Sequence, residues 1–184
     1  MIHHRAIFLD RDGVLNRPLI QNQKGYAPRT LADFSIYREA PAAIAMLKEA
    51  GFIIVVVTNQ PDIGHGLVAA SDVALMHQQL QAAMPIDGIF VCPHRQDEGC
   101  RCRKPRPGMI EEAMRRFAID TTKSFLIGDR SSDIAAGQVM GCTTVFIDRH
   151  YREPLTAVPD WQASSVWEAA EWIMRRLGDV PKSL

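Results

Sequence analysis

Asp10 and Asp12 end a run of apolar residues, Ala6-Ile7-Phe8-Leu9, and are followed at once by Gly13. In an extended backbone residues i and i+2 share a face, so both carboxylates point into one small volume. Acids that close repel unless a cation sits between them, and Mg²⁺, which takes oxygen ligands and keeps several waters, suits such a pair. The same composition also suits a polar turn in which both side chains cap backbone amides. A second cluster, Cys92-x-His94-x5-Cys100-x-Cys102, places three thiols and one imidazole within eleven residues. Four such ligands close a tetrahedral Zn²⁺ shell with no open position, which makes the site structural; the alternative is free thiols beside a chance His. The spacing is tighter than a zinc finger's and no helix carries the His, which argues against a nucleic-acid finger. Cys142, between Gly141 and a strand, reads as a small buried apolar residue.

These residues need strands and helices to hold them. Ala6 to Leu9 is continuous and apolar, as expected of a strand buried on both faces. Positions 17–33 are polar and irregular, either closing a site or simply crossing the surface. Phe34 to Tyr37 reads as a short strand or an extended approach. Pro41 near the start and Gly51 just past the end bracket a helix over 40–50, and a strand follows over 52–57. Strand, helix, strand in that order is a βαβ unit and calls for a parallel sheet. A helix over 71–84 capped by Ser71, with a stripe of Val73, Leu75, Met76, Leu80 and Ala83, leads to a strand over 86–91. A helix over 109–117, a strand over 124–127, a helix over 134–140 and a strand over 143–147 complete the alternation. A terminal helix over 166–177, packed down by Trp167 and Trp172, and a frayed tail from Gly178 close the chain.

The expected fold is α/β, a three-layer doubly wound parallel sheet without a large cap domain, in a single domain over 1–184. In a parallel sheet all carboxyl ends lie along one edge, where ligands of such folds bind. That edge carries Asp10 and Asp12, Thr58-Asn59-Gln60, the Cys/Lys segment, and Gly128-Asp129 with Asp133. Carboxylates around Mg²⁺, a hydroxyl and one lysine together suit phosphoryl transfer, in which phosphoryl charge must be neutralised and the reacting oxygens held in line. Taken singly, Thr58 and Asn59 could cap a strand and turn, Lys104 could sit in a solvated basic loop, and Asp133 could cap the helix that follows it.

The 184 residues include 21 basic and 21 acidic side chains, so the formal net charge is zero and no broad electrostatic footprint for nucleic acid or an anionic membrane is present. No apolar run approaches the ~18 residues that a membrane span needs, and the N-terminus runs straight into a strand rather than a signal-type region. The expectation is a cytoplasmic monomer whose partner is a small phosphate ester, with neither nucleic acid nor membrane.

Asp10-Arg11-Asp12-Gly13-Val14, Thr58-Asn59-Gln60, Lys104 and Gly128-Asp129 with Asp133 resemble, in order, the four motifs of the haloacid-dehalogenase-type phosphatases. The resemblance implies that Asp10 is the nucleophile and Asp12 the general acid/base. It implies that Asp10, the Asp12 backbone carbonyl and Asp129 hold Mg²⁺, that Thr58 and Lys104 hold the phosphoryl group, that Asp133 orients Lys104, and that Asn59 faces substrate. The cysteine loop, followed by Arg103-Lys104-Pro105 and Pro107-Gly108-Met109, is similar to the subgroup containing D-glycero-D-manno-heptose 1,7-bisphosphate and histidinol-phosphate phosphatases. The segment Pro61-Asp62-Ile63-Gly64-His65-Gly66 departs from the subgroup's usual pattern after Thr-Asn-Gln, which leaves the substrate open. A bisphosphate needs cations for its second phosphate, and Arg103, Arg106 and Arg130 can supply them. The amine and imidazole of histidinol phosphate would prefer acids, for which Asp62 and Asp97-Glu98 are the candidates. The expected reaction is therefore Mg²⁺-dependent hydrolysis of the heptose bisphosphate through an aspartyl-phosphate. Histidinol phosphate is the main alternative; a nucleic-acid end-processing phosphatase and a non-catalytic zinc-loop binding module are more distant ones.

Overall fold

The computed structural model describes residues 3–178, which form a six-stranded sheet with helices on both faces. In chain order the elements are β1 (Ala6–Leu9), β2 (Leu19–Gln21), β3 (Lys24–Tyr26), α1 (Ala40–Glu49), β4 (Ile53–Asn59), α2 (Pro61–Gly64), α3 (Ala70–Ala83), β5 (Gly88–Cys92), α4 (Gly108–Phe117), β6 (Phe125–Gly128), α5 (Ser131–Val139), β7 (Thr143–Ile147), β8 (Trp161–Ala163) and α6 (Val166–Leu177). The sheet runs β5-β4-β1-β6-β7-β8 and every pairing in it is parallel. Alternate residues feed two cores: Ile7, Leu9, Ile54 and Val56 meet α1, α3 and α6, whereas Ala6, Phe8, Val55 and Val57 meet α4 and α5. Burial on both faces explains why these strands are unbroken apolar runs. The chain first winds outward from β1 to β5 and then returns to lay β6 on the other side of β1. The crevice of such a sheet opens where the winding reverses, between β1 and β6.

The three-layer expectation holds, with differences at the edges. Positions 17–33 are not wholly irregular: β2 and β3 form an antiparallel hairpin, with Asn22 and Gln23 at positive φ in its turn. Phe34 to Tyr37 forms no strand beyond a bridge between Asn16 and Ile36. Ser71 does not cap α3, because the Ala69 carbonyl already accepts from Asp72 and Val73 and the first turn closes one residue early. Leu75, expected in the buried stripe, is exposed. β8 adds a sixth strand that the sequence pattern does not announce. Its Trp161 stacks on Trp172, with ring centroids 5.1 Å apart, and holds α6 down. Trp167 takes no part in that packing and is 37% exposed, because Val166, Ala169, Ala170 and Ile173 define the opposite, buried face of the helix. Gly178 ends α6 in a left-handed conformation at φ 75°; the rest of the expected tail, 179–184, lies outside the described residues. No helix among the described residues is long and apolar enough to cross a membrane.

Candidate active site

β1 and β6 pair in register from Ile7 opposite Phe125 to Leu9 opposite Ile127, so their tips deliver Asp10 and Asp129 side by side. Asp133 joins them from the first turn of α5, and the three buried carboxylates offer oxygens within 4.8 Å of one another. This close approach depends on glycine. A Cβ on Gly128 would lie 2.2 Å from the Asp133 Cβ, and one on Gly13, whose φ is +87°, would lie 1.9 Å from Asp129 Oδ2. Lys104 supplies the opposing charge. Its Nζ sits 2.8 Å from Asp10 Oδ1 and 2.6 Å from Asp133 Oδ1, and donates to the Val57 carbonyl at 2.6 Å. Asp133 is thus within the helix rather than ahead of it, accepting from the Arg130 amide at 3.0 Å while it pairs with the lysine.

One lysine does not neutralise three buried acids. Burial pushes the Asp10 carboxyl up to about 6, against the pull of Lys104 and with a further push from Asp133 and Asp12. Burial, with Asp10 and Asp133 close by, raises Asp129 well above the ordinary carboxylate range. Burial opposes a charged Lys104, but the two aspartates outweigh it and hold the ammonium firmly protonated. Asp129 Oδ1 is buried with no hydrogen-bond donor among the described residues, and the Tyr151 hydroxyl lies beside the carboxylate. An all-oxygen donor set with surplus negative charge and an orphaned oxygen fits a hard divalent cation.

Asp12 occupies a different setting, although it lies only two residues along. Burial opposes its charge, but Arg11 and hydrogen bonds from Asn16, Arg11 and Gln60 outweigh that cost and keep its carboxyl below the usual range. Asn16 Nδ2 donates at 2.9 Å, Gln60 Nε2 at 2.8 Å, and the Arg11 guanidinium at 3.0–3.2 Å. Gln60 also donates to the buried Thr58 hydroxyl at 2.9 Å. Thr58 and Gln60 lie two residues apart at the end of β4, the spacing that puts neighbours on one face. Arg11 and Gln60 stand inside the motifs singled out above and Asn16 lies two residues past the first of them, but side-chain reach rather than residue type gives them their part.

The tips open into a cleft of about 580 Å³ lined by Asp10, Asp12, Asn59, Arg103, Lys104 and Asp129 among others. Asn59 reaches the cleft with its amide committed: Nδ2 donates to the Lys104 carbonyl at 3.2 Å and Oδ1 accepts from the Lys104 amide at 3.1 Å. The expected arginines divide. Arg103 lines the cleft and its buried Nη1 has no partner among the described residues. Arg130 lines it too, but its guanidinium pairs with Glu153 at 2.8 Å and donates to the Gly25 carbonyl. Arg106 is not brought to the cleft, because its Nη1 donates to the Cys100 carbonyl at 2.6 Å and the side chain folds over the cysteine loop. Lys24, Arg29 and His65, which sequence reasoning did not assign, also line the cleft; Arg29 pairs with Asp62 at 2.6 Å. No residue-type signal marks these three, since the hairpin and α2 bring them in.

Cys92, His94, Cys100 and Cys102 converge as expected, their ligand atoms within 4.8 Å of one another. Cys92 Sγ and Cys102 Sγ lie 3.5 and 3.6 Å from Cys100 Sγ, and His94 Nδ1 lies 3.6 Å from Cys92 Sγ and 3.2 Å from Cys102 Sγ. Zinc–sulfur bonds of about 2.3 Å in a tetrahedron give edges of roughly 3.8 Å, so the donor set is compatible with Zn²⁺. The loop begins at the end of β5 and delivers Arg103 and Lys104 directly after its last ligand, Cys102. Cys142 stands apart from it and is buried.

Residues 101–169 match the family model described as HAD-hydrolase-like. The chain is 35% identical over 179 residues to the D-glycero-alpha-D-manno-heptose-1,7-bisphosphate 7-phosphatase of Mycobacterium bovis, covering 91% of this chain and 90% of that relative. It is 32% identical over 191 residues to the D-glycero-beta-D-manno-heptose-1,7-bisphosphate 7-phosphatase of Yersinia pestis, covering 97% and 94%. Among solved structures it resembles the D,D-heptose 1,7-bisphosphate phosphatase of B. bronchiseptica, complexed with magnesium and phosphate, with a TM-score of 0.78, 26% identity, and 94% and 99% of the two chains covered.

Proposed function

We propose that this chain, which belongs to the haloacid-dehalogenase-like family of D-glycero-D-manno-heptose-1,7-bisphosphate 7-phosphatases, removes the 7-phosphate of such a heptose bisphosphate. The observation that carries the reading is the set of buried carboxylates, Asp10, Asp129 and Asp133, around one buried lysine at adjacent strand tips. Asp10 acts as the nucleophile: its oxygen attacks phosphorus and the ester P–O bond breaks, while Asp12, which is ionised without substrate and takes up a proton as the phosphate charge enters the cleft, passes that proton to the sugar oxygen. Water then attacks the acyl-phosphate and gives its proton to Asp12, so one ester and one water yield alcohol and phosphate. Lys104 and Thr58 hold the phosphoryl oxygens, and Asp133 fixes Lys104. Mg²⁺ is held by Asp10, Asp129 and the Asp12 carbonyl, and when bound it neutralises phosphoryl charge. Asn59 serves by fixing the Lys104 backbone rather than by spending its amide on substrate. Zn²⁺ at Cys92, His94, Cys100 and Cys102 pins the loop that aims Lys104.

Charge in the cleft supports a bisphosphate. Arg103 offers to the second phosphate an Nη1 that has no partner among the described residues, and Lys24 stands nearby at the rim, 3.6 Å from Glu153. The acids that histidinol phosphate would require are already engaged, Asp62 by Arg29 and both Asp97 and Glu98 by Arg95. The test compares initial phosphate release from the α and β heptose 1,7-bisphosphates and from histidinol phosphate at equal concentration with Mg²⁺. The reading requires a heptose bisphosphate to win clearly, with the 1-phosphate retained in the product. Preference for histidinol phosphate, or loss of the 1-phosphate, would refute it.

A further inference from the structure

We infer that Arg11 is a positioning residue for the general acid/base, holding the Asp12 carboxylate in the one orientation from which it can serve the leaving oxygen, with His77 anchoring the guanidinium from behind. The inference rests on the acid–base role proposed for Asp12.

Arg11 is the bulkiest of the fully buried side chains, at 0% exposure. Neighbouring side chains on a strand point to opposite faces, so Arg11 would normally face away from Asp12. It comes back because the strand has ended: the Arg11 carbonyl accepts from the amides of Val14, Leu15 and Asn16, which curls the chain into a tight turn. Arg11 Nε and Nη2 then donate to both Asp12 oxygens at 3.0–3.2 Å. The remaining nitrogen, Nη1, lies 3.2 Å from His77 Nε2 and 4.0 Å from Met76 Sδ, both on α3, and the guanidinium lies over the Phe34 ring at 5.6 Å from its centroid. Arginine only donates, so His77 Nε2 accepts and the imidazole is neutral. Burial and the Arg11 charge both favour that neutral form.

A buried guanidinium is costly unless each of its faces is satisfied. Here every polar contact of Arg11 serves to aim it at a single carboxylate, and among the described residues Asp12 is its one acidic partner. Asn16 and Gln60 each reach one Asp12 oxygen and cannot replace a donor that bridges both. A proton-transfer group must lie within hydrogen-bond reach of the oxygen it serves, so its contribution depends on this orientation more than on residue type. His77 carries the dependence out to α3, a helix that contributes no atom to the reacting centre.

Leaving-group chemistry tests this without relying on overall activity. An alkyl phosphate such as the heptose bisphosphate needs a proton on its departing oxygen, whereas p-nitrophenyl phosphate expels a stable anion without one. The readout is the single-turnover rate of phosphoenzyme formation on each, with Mg²⁺, for the wild type, Asp12→Asn, Arg11→Met and the double variant. Arg11→Met is expected to lose about 10²-fold on the alkyl ester and less than about tenfold on the nitrophenyl ester. The double variant is expected to stay within about threefold of Asp12→Asn on the alkyl ester, because Arg11 acts through Asp12. His77→Leu keeps both charged partners and so covers the case in which Arg11→Met does not fold; it should lose severalfold on the alkyl ester alone, and His77→Gln, which retains an acceptor, should restore the rate. Equal losses on both esters for Arg11→Met and His77→Leu, or additive losses in the double variant, overturn the role of Arg11. If Asp12→Asn itself fails to discriminate between the esters, the acid–base reading of Asp12 falls, and this inference falls with it.

Discussion

Replacing Lys104 by Met removes the cation at the centre of the carboxylate cluster while keeping most of the side chain's bulk. The ammonium donates to Asp10 and to the Val57 carbonyl and pairs with Asp133 at 2.6 Å, and the residue is 3% exposed. Water cannot readily take over those contacts, so Asp10 and Asp133 are left as buried neighbours of like charge. Breaking a buried pair in this way costs about 3–5 kcal/mol. For a domain of this size that lowers Tm by roughly 6–20 °C. The penalty should depend on pH. Burial already places Asp10 at about 6 with Lys104 pulling it down, so without the lysine Asp10 titrates higher still. At pH 5 the variant can therefore hold Asp10 neutral and escape most of the repulsion, whereas at pH 7 it must bind a proton or bear the charge. Thermal unfolding of the metal-free protein by circular dichroism at both pH values checks this, and the Tm difference at pH 5 should be less than half that at pH 7. A penalty below about 1 kcal/mol at pH 7, or the same penalty at both, would mean that Lys104 contributes its stem and not its charge, and would refute the reasoning.

The wild type should show the linkage in milder form. An Asp10 carboxyl moved from 3.8 to about 6 binds its proton more tightly folded than unfolded. Metal-free stability should thus fall as pH rises from about 4 to about 6, by on the order of 3 kcal/mol, in denaturant titrations with EDTA present. Mg²⁺ should recover it, raising Tm at pH 7 and hardly at all at pH 4.5; equal stabilisation at both would place the cation elsewhere. Gly13→Ala puts a Cβ where Asp129 Oδ2 now sits, at a φ of +87°, and should abolish the Mg²⁺-dependent rise in Tm while costing at least about 10² in turnover. Elemental analysis should find one zinc per chain, and Cys100→Ser or strong chelation should lower both Tm and turnover together, since Cys102 and Lys104 are two residues apart.

The strands and the polar residues at their tips were legible because they depend on local rules. Buried parallel strands must be apolar throughout, and a sheet collects its carboxyl ends on one edge wherever the chain supplies polar residues there. Asp10, Thr58 and Asp129 follow from those two facts, whereas Lys104, twelve positions past the end of β5, was tied to them only by the resemblance to the phosphatase motifs. β8 was not legible, because Trp161-Gln162-Ala163 is short and its pairing with β7 is fixed by Trp161 stacking on Trp172, a partner eleven residues on. The hairpin was missed because its turn uses Asn22 and Gln23 rather than glycine. Arg106 was misplaced for a different reason. Residue type gave its charge correctly, but its direction depends on the Cys100 carbonyl, which becomes available only once the cysteine loop has folded. The Arg11–His77 contact spans sixty-six positions and has no trace in any local pattern.

The wall of the cleft is made from parts that the reacting centre does not own. The Arg152 amide donates to the Gln23 carbonyl at 2.9 Å, Glu153 pairs with Arg130 and approaches Lys24, and Gly25 has no side chain because the Tyr151 ring fills that space. Two short surface segments, 19–26 and 150–153, therefore form a removable facing bolted to a fixed engine. Exchanging them as a matched pair that keeps Tyr151, whose hydroxyl lies beside Asp129, would redirect which esters are admitted without altering the carboxylate cluster, whereas exchanging either alone would strip the bolts from the other.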